Sequence, residues 1–276
     1  MRELLMLILL GTALPVLAGG DPLPLGARSA GMGYSGLTLT DVWSVRLNPA
    51  GTAGLEKPTA GLFYQQHFLS NELAQQGLAF VLPVGKGAFA ISADRYGYSL
   101  YQETRAGLGY AMRLSEGLRA GIQLNYLGVQ LGDNYGSTAA FTAELGVQAR
   151  LTEELWIGAH LYNPTRSVLG STSEGTVVVE ERVPTLLRVG LGYTFSTKLL
   201  MTVEAEKDID MPERFRIGVE YAPNKVLFLR TGISTGPVQA HFGAGVRLKQ
   251  LDIDLAMAVR SQLGPTPMIG LNYRFK

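Results

Sequence analysis

From about residue 58 onward, apolar and polar residues alternate with a period of two, the pattern of strands whose two faces meet different surroundings. In "TRAGLGYAMRL", Leu108, Tyr110, Met112 and Leu114 share one face, while Arg105, Gly107, Gly109, Ala111 and Arg113 share the other. "LLRVGLGYTF" sets Leu187, Val189, Leu191, Tyr193 and Phe195 against Arg188, Gly190, Gly192 and Thr194. "RFRIGVEY" and "LDIDLAMAVR" repeat the alternation, and "PMIGLNYRF" carries it to Phe275. The pattern predicts about fourteen strands of roughly ten residues, long enough to cross a bilayer. They fall at 58–67, 74–83, 86–96, 103–114, 117–131, 137–151, 153–162, 183–196, 198–207, 213–222, 225–234, 237–248, 250–261 and 265–275. The even spacing predicts one unbroken unit.

The connections carry a second pattern. Every other one is tight, as in "PVGKG" at 83–87, "LSEGL" at 114–118 and "LKQL" at 248–251. Those between are mostly longer, as in "FLSNELAQ" at 68–75, and the longest runs from Asn163 to Pro184. Alternating short and long turns are expected of an outer-membrane barrel, with short periplasmic turns and longer outside loops.

Periodicity alone does not say which face is dry. A soluble sandwich buries its apolar face, whereas a membrane barrel turns that face to lipid. Here the polar face is rich in glycine, which weakens a solvated strand but lets another backbone approach an enclosed wall. The apolar face is almost free of charge, and one Lys or Arg at mid-bilayer costs about 2–4 kcal/mol. Arg95 is the visible exception by parity. The predicted fold is therefore all-β: a transmembrane antiparallel up-and-down barrel of about fourteen strands. A soluble periplasmic β-sandwich is the alternative. Tyr110, Tyr126, Tyr193, Tyr221, Tyr273 and Phe275, near segment ends, suit interfacial girdles or ordinary strand propensity.

The N-terminus, MRELLMLILLGTALPVLA, has a cationic start, a short apolar run and small residues before Gly19, and predicts a signal peptide over 1–18. Expected domains are then a plug segment over 19–57 and the barrel over 58–276. The 276 residues carry a formal net charge of +1 and no cysteine. These exclude a field suited to nucleic acid, a disulfide framework and thiolate metal sites.

Between leader and barrel stands "GARSAGMGYSGLTLTDVWSVRLNPAG", residues 26–51. A barrel of about fourteen strands is too wide for its own side chains to fill, and a compact glycine-rich segment can stopper it. This stretch resembles the N-terminal signature of PorV/PorQ-type proteins, a branch of the long-chain fatty-acid transporter (FadL) superfamily. The matching positions are Gly26, Ala27, Arg28, Met32 and Gly33, the acidic Asp41, and Asn48, Pro49, Ala50 and Gly51. The resemblance implies a fourteen-stranded outer-membrane barrel with an N-terminal plug, in a Gram-negative, Bacteroidetes-like cell. It implies a surface accessory role in type IX-like secretion, with secretion-machinery proteins as partners. The fatty-acid branch implies instead a conduit for small hydrophobic molecules. Outer-membrane lipid is expected around either.

Gly97, where the alternation falters, is a candidate strand break opening a lateral gap, or a simple turn start. Asn48 and Pro49 suit a fixed turn where plug meets barrel. The expected lumen face carries Arg105, Arg113, Arg188, Arg214, Arg216, Arg230 and Arg247 against Glu144, Glu204, Glu206, Glu220, Asp252 and Asp254. These charges either line a selective path or neutralise one another. The pairs Glu204/Glu206 and Asp252/Asp254 lack a partnering base, and His67, His160 and His241 lack metal-ligand spacing. No nucleophile elbow or dinucleotide fingerprint is present. No enzyme activity, catalytic residue, metal or cofactor is expected.

Overall fold

The alternation closes on itself. In the computed structural model, fourteen strands form a closed antiparallel barrel in which neighbours in sequence are neighbours in space. The structure describes residues 24–132, 136–174 and 177–276, with the side chains of 171–180 left aside. The expected signal peptide, residues 1–18, lies outside the described residues.

The barrel strands are β1 (Thr59–Gln66), β2 (Ala74–Val84), β3 (Gly87–Gly97), β4 (Tyr101–Arg113), β5 (Leu118–Leu131), β6 (Gly136–Arg150) and β7 (Leu155–Tyr162). After the longest connection come β10 (Leu186–Ser196), β11 (Leu199–Asp208), β12 (Arg214–Tyr221), β13 (Leu227–Ser234), β14 (Gln239–Leu248), β15 (Leu251–Arg260) and β16 (Gly264–Arg274). β1 pairs with β16, from Thr59 with Arg274 to Gln65 with Met268, and this seam closes the ring. The strands missing from that order, β8 (Val168–Glu174) and β9 (Val177–Arg182), form a separate hairpin inside the longest loop. The sequence pattern predicts only the longest connection there, with no strands of its own.

The barrel is turned inside out relative to a soluble protein. Phe141 is 74 % exposed and Leu124 65 %, whereas Gln123 and Gln148 in the same strands are fully buried. Apolar side chains on alternate positions face outward all round, as a transmembrane barrel requires. Among the described residues, no helix is long and apolar enough to cross a membrane; the chain crosses with strands. Aromatic residues pair on the outer face as Phe89 with Tyr110, Tyr193 with Phe195, and Tyr126 with Phe141.

Inside the ring lie residues 24–54. They form two short helices, α1 (Ala27–Gly31) and α2 (Ser44–Leu47), and a 3₁₀ turn over Pro49–Gly54. Asn48 starts that turn: its side-chain oxygen accepts from the Ala50 amide, and Pro49 supplies the fixed φ of a first helical position. The apolar core sits between this segment and the wall. Leu25, Ala30, Val42, Trp43 and Val45 pack on Phe63, Val81, Ala88 and Met268. Trp43 Nε1 donates to Asn272 Oδ1 at 2.8 Å, so its polar edge is satisfied where its rings are buried.

The glycine wall explains how the segment fits. A Cβ on Gly31 would lie 3.0 Å from the Cα of Gly243, and one on Gly121 would strike the Pro49 carbonyl carbon at 2.7 Å. The inward-facing glycines divide between two roles. Gly190, Gly192 and Gly243 meet the inner segment, at Leu37, Thr38 and Gly31. Gly107 and Gly109 instead make room for Gln123 and Asn125 side chains.

Candidate functional site

Among the described residues, charge gathers under cover in the lumen. The inner segment brings Arg28 to the wall, where its guanidinium grips Glu220 through Nη2–Oε1 at 2.7 Å and Nε–Oε2 at 2.9 Å. Arg230 donates to the same carboxylate at 2.6 Å and, through Nη1, to Asp254 Oδ1 at 2.7 Å. Arg28 also reaches Asp41 at 3.4 Å, and Asn272 donates to Asp254 at 3.3 Å. Two residues of the 26–51 signature thus close a charge network with the strands β12, β13 and β15.

A second network faces the loop end. Glu206 accepts from Arg216 at 2.7 Å and lies 3.6 Å from both Arg188 and Arg214. Glu204 lies 3.8 Å from Arg216, and its other oxygen accepts from the Leu37 amide at 2.5 Å. A third group holds Glu144 between His160 Nε2 at 2.8 Å and Asn125 Nδ2 at 2.8 Å. Arg105 pairs with Glu103 at 3.2 Å. Such buried pairs hold position more than they add stability, because desolvation offsets their attraction.

Of the charges expected on the lumen face, Arg105, Glu144, Arg188, Glu204, Glu206, Glu220, Arg230 and Asp254 are buried there. Arg214 and Arg216 are half-buried at the loop-end mouth, and Asp252 is half-buried at the turn end. Arg113 and Arg247 are corrected: both have lumen parity but lie exposed at the turn-end rim. Arg113 donates to the Gly85 carbonyl at 3.4 Å, and Arg247 and Arg274 share Asp252 at 3.3 and 2.5 Å. Parity fixes the side a residue faces, and its distance from the strand end fixes whether water reaches it.

The signature residues come together. Met32 and Gly33 lie against Gly218 and Gly232, and Gly26 packs on Trp43. Asn48 Nδ2 bridges the Leu37 carbonyl and the Val147 carbonyl of the wall, at 2.9 and 3.0 Å. Ala50 is fully buried and Gly51 buried beside Ser44. The sequence reading missed Arg46 and Asp94, which face each other at 3.4 Å with both side chains nearly fully covered. Asp94 has lumen parity, the signal that could have found it.

Two clefts flank the inner segment. That at the turn end, about 80 Å³, is bordered by Arg28, Asp41, Arg230, Asp254 and Arg274. That at the loop end, about 200 Å³, is bordered by Tyr34, His67, Phe68, Arg214, Arg260 and Met268. Among the described residues, no group of three or more His, Asp or Glu could hold a metal ion.

Neither a protein-family model nor a curated protein matches the sequence. Solved structures do match the architecture. The toluene transporter TodX of P. putida aligns over 91% of this chain and 98% of its own, at 15% identity and a TM-score of 0.69. The toluene transporter TbuX of Ralstonia pickettii covers 95% and 100%, at 15% identity and 0.68. A FadL homologue of Pseudomonas aeruginosa covers 94% and 100%, at 12% identity and 0.65. The chain has the FadL-type fold.

Within that fold, Gly97 does not break a strand. β3 pairs with β2 without interruption from Val84–Gly87 to Gln75–Tyr96, and with β4 from Gly87–Met112 to Gly97–Gln102. Gly97 has φ +97° and a Cβ there would strike the Tyr101 carbonyl, so it starts the turn into β4. Of the two readings of Gly97, that continuous pairing rules out the lateral gap and leaves the turn start.

His67, in the loop after β1, borders the loop-end cleft beside Gln65. Burial pushes its imidazole down to about 4. The folded loop therefore favours the neutral ring more than the unfolded chain does. Stability is lost as pH falls from about 6.5 toward 4. An NMR titration of His67 should find its midpoint near pH 4; a midpoint near 6.5 would put the ring in open water.

Proposed function

We propose that this chain is an outer-membrane conduit that admits small hydrophobic molecules. The observation that carries the reading is the combination of a lipid-facing fourteen-strand barrel with a lumen occupied by its own N-terminal segment. Toluene transporters and a FadL homologue share that barrel fold. In this reading residues 19–57 act as a plug. The charge networks of Arg28, Glu220 and Arg230 hold it in place, and the clefts at its two ends are where a solute enters and leaves. Solute passage then requires the segment to shift, because its contacts with the glycine wall leave little room around it.

The secretion-accessory role implied by the PorV/PorQ-like signature is less favoured. The signature residues are taken up by contacts inside the barrel, with Asn48, Ala50 and Gly51 buried, and do not present a surface to a partner. Any partner would have to meet the outside loops instead.

The test is uptake. Radiolabelled toluene should enter cells expressing the chain several-fold faster than cells carrying an empty vector, at equal outer-membrane integrity. Equal rates in the two strains, with the barrel shown folded by heat-modifiable gel migration, would reject the conduit. Co-purification of secretion-machinery proteins in place of uptake would restore the accessory role.

A further inference from the structure

Arg95, the charge that broke the apolar face in the sequence, does point outward and is exposed. Its cross-strand neighbours are Gln76 on β2 and Thr104 on β4, both outward by register. On β2, outward positions run Val84, Leu82, Phe80 and Leu78 before Gln76; on β4 they run Met112, Tyr110, Leu108 and Ala106 before Thr104. Each run alternates over about 20 Å of axial height once strand tilt is allowed for, close to the apolar band of such barrels. Arg95 therefore stands at the loop-side edge of that band, where lipid headgroups begin. β5 and β6 turn polar one outward position farther toward the loops, where Gln102 pairs with Gln130 and Gln130 with Ser137.

The wall is hollow here, because Ala93 and Thr104 are small. One exterior hollow of about 490 Å³ has Leu62, Leu78 and Ala93 on its apolar side and Gln76, Arg95 and Thr104 on its polar side. A second, of about 480 Å³, shares Thr104 and adds Gln102, Gln130 and Ser137. Among the described outward-facing strand positions, the other charge is Lys207, which Glu213 neutralises at 3.0 Å. Arg95 has no acidic partner within 4.0 Å among the described residues. A guanidinium with free donors above a greasy hollow matches a phosphate carried on an acyl chain.

We propose that the outer wall of β2–β6 binds a phosphorylated lipid of the loop-side leaflet, its phosphate on Arg95 and Gln76 and an acyl chain in the hollow below. The bond is a charge-assisted hydrogen bond, and the amide and hydroxyl groups of Gln102, Thr104 and Gln130 receive the remaining polar headgroup. The site lies outside the barrel and does not depend on what the lumen carries.

Native mass spectrometry of the full chain, released from nanodiscs containing lipid A, tests this. The wild type should retain lipid A as a discrete adduct, and enzymatically dephosphorylated lipid A should be retained at least fivefold less. Arg95→Gln should lower retention of the phosphorylated form to the dephosphorylated level, while Lys207→Gln leaves it unchanged. Inorganic phosphate at millimolar concentration should not displace the lipid; displacement would mean that the site takes the free ion. Heat-modifiable migration checks that each variant is folded. Equal retention by wild type and Arg95→Gln, equal retention of the two lipid forms, or no adduct on the wild type would each overturn the proposal.

Discussion

Replacing Arg230 with methionine should destabilise the folded barrel by about 3–5 kcal/mol, the range for removing one member of a buried ion pair. The arginine side chain is almost wholly covered and holds two carboxylates, Glu220 at 2.6 Å and Asp254 at 2.7 Å. Methionine fills a similar volume, so the loss is chiefly electrostatic. Glu220 keeps Arg28, but Asp254 is left with the 3.3 Å bond from Asn272. The double variant Arg230→Met with Asp254→Asn should therefore recover a large part of the loss, because the abandoned charge goes with its partner. Urea unfolding in detergent micelles, followed by tryptophan fluorescence, gives both values. A single-variant loss below about 0.5 kcal/mol, the size of an ordinary surface change, would mean that water already solvates this network.

How much of this could be read before the fold was known differs by level. Strand positions were legible to within a few residues, because lipid outside and a packed segment inside impose opposite demands on alternate side chains. The register across strands was not, since a period of two is satisfied by any even shift. For that reason Arg113 and Arg247 could be assigned a side but not a height, and both end at the rim. Gly97 was ambiguous for a related reason. A glycine beside a faltering alternation fits a gap or a turn, and only the pairing of Tyr96 and Gln102 with their neighbours decides for the turn. The β8–β9 hairpin was missed although "TVVVEER" is β-branched and strand-like, because a loop between two barrel strands was not expected to contain its own sheet. Arg46 was passed over for a different reason. It sits in the inner segment, where no periodicity exists, and its neighbour Asp94 is 48 residues away in sequence. Contacts between an irregular segment and a regular wall leave no trace in the spacing of either.

The glycine wall was legible as composition, and its consequence is the second large effect. Replacing Gly232 with leucine should cost about 3 kcal/mol or more, the upper end of overpacking changes. The Cβ of residue 232 would fall where the Gly33 amide nitrogen and Met32 carbonyl carbon already stand, with the Ile217 carbonyl 2.8 Å away. All three are backbone atoms, so no rotamer change relieves the clash. Nor can Gly33 retreat easily: it has φ +68° and sits so close to the Ile233 carbonyl that its own Cβ would approach to 2.9 Å. Strain of this kind falls on the seating of residues 24–54, because the interstrand hydrogen bonds of β12, β13 and β14 do not pass through the side chain of residue 232. The expected phenotype is thus a barrel that still forms but holds its inner segment loosely. Limited proteolysis should cut near residues 32–33 in Gly232→Leu and not in the wild type, and conductance in planar bilayers should rise. Gly117→Ala, at a half-buried turn position where the added methyl meets Arg150 Cβ at an ordinary 3.4 Å, is the control and should change neither. A Gly232→Leu protein that unfolds at the wild-type urea concentration and resists the protease equally would show that the segment is not held against β13 at all.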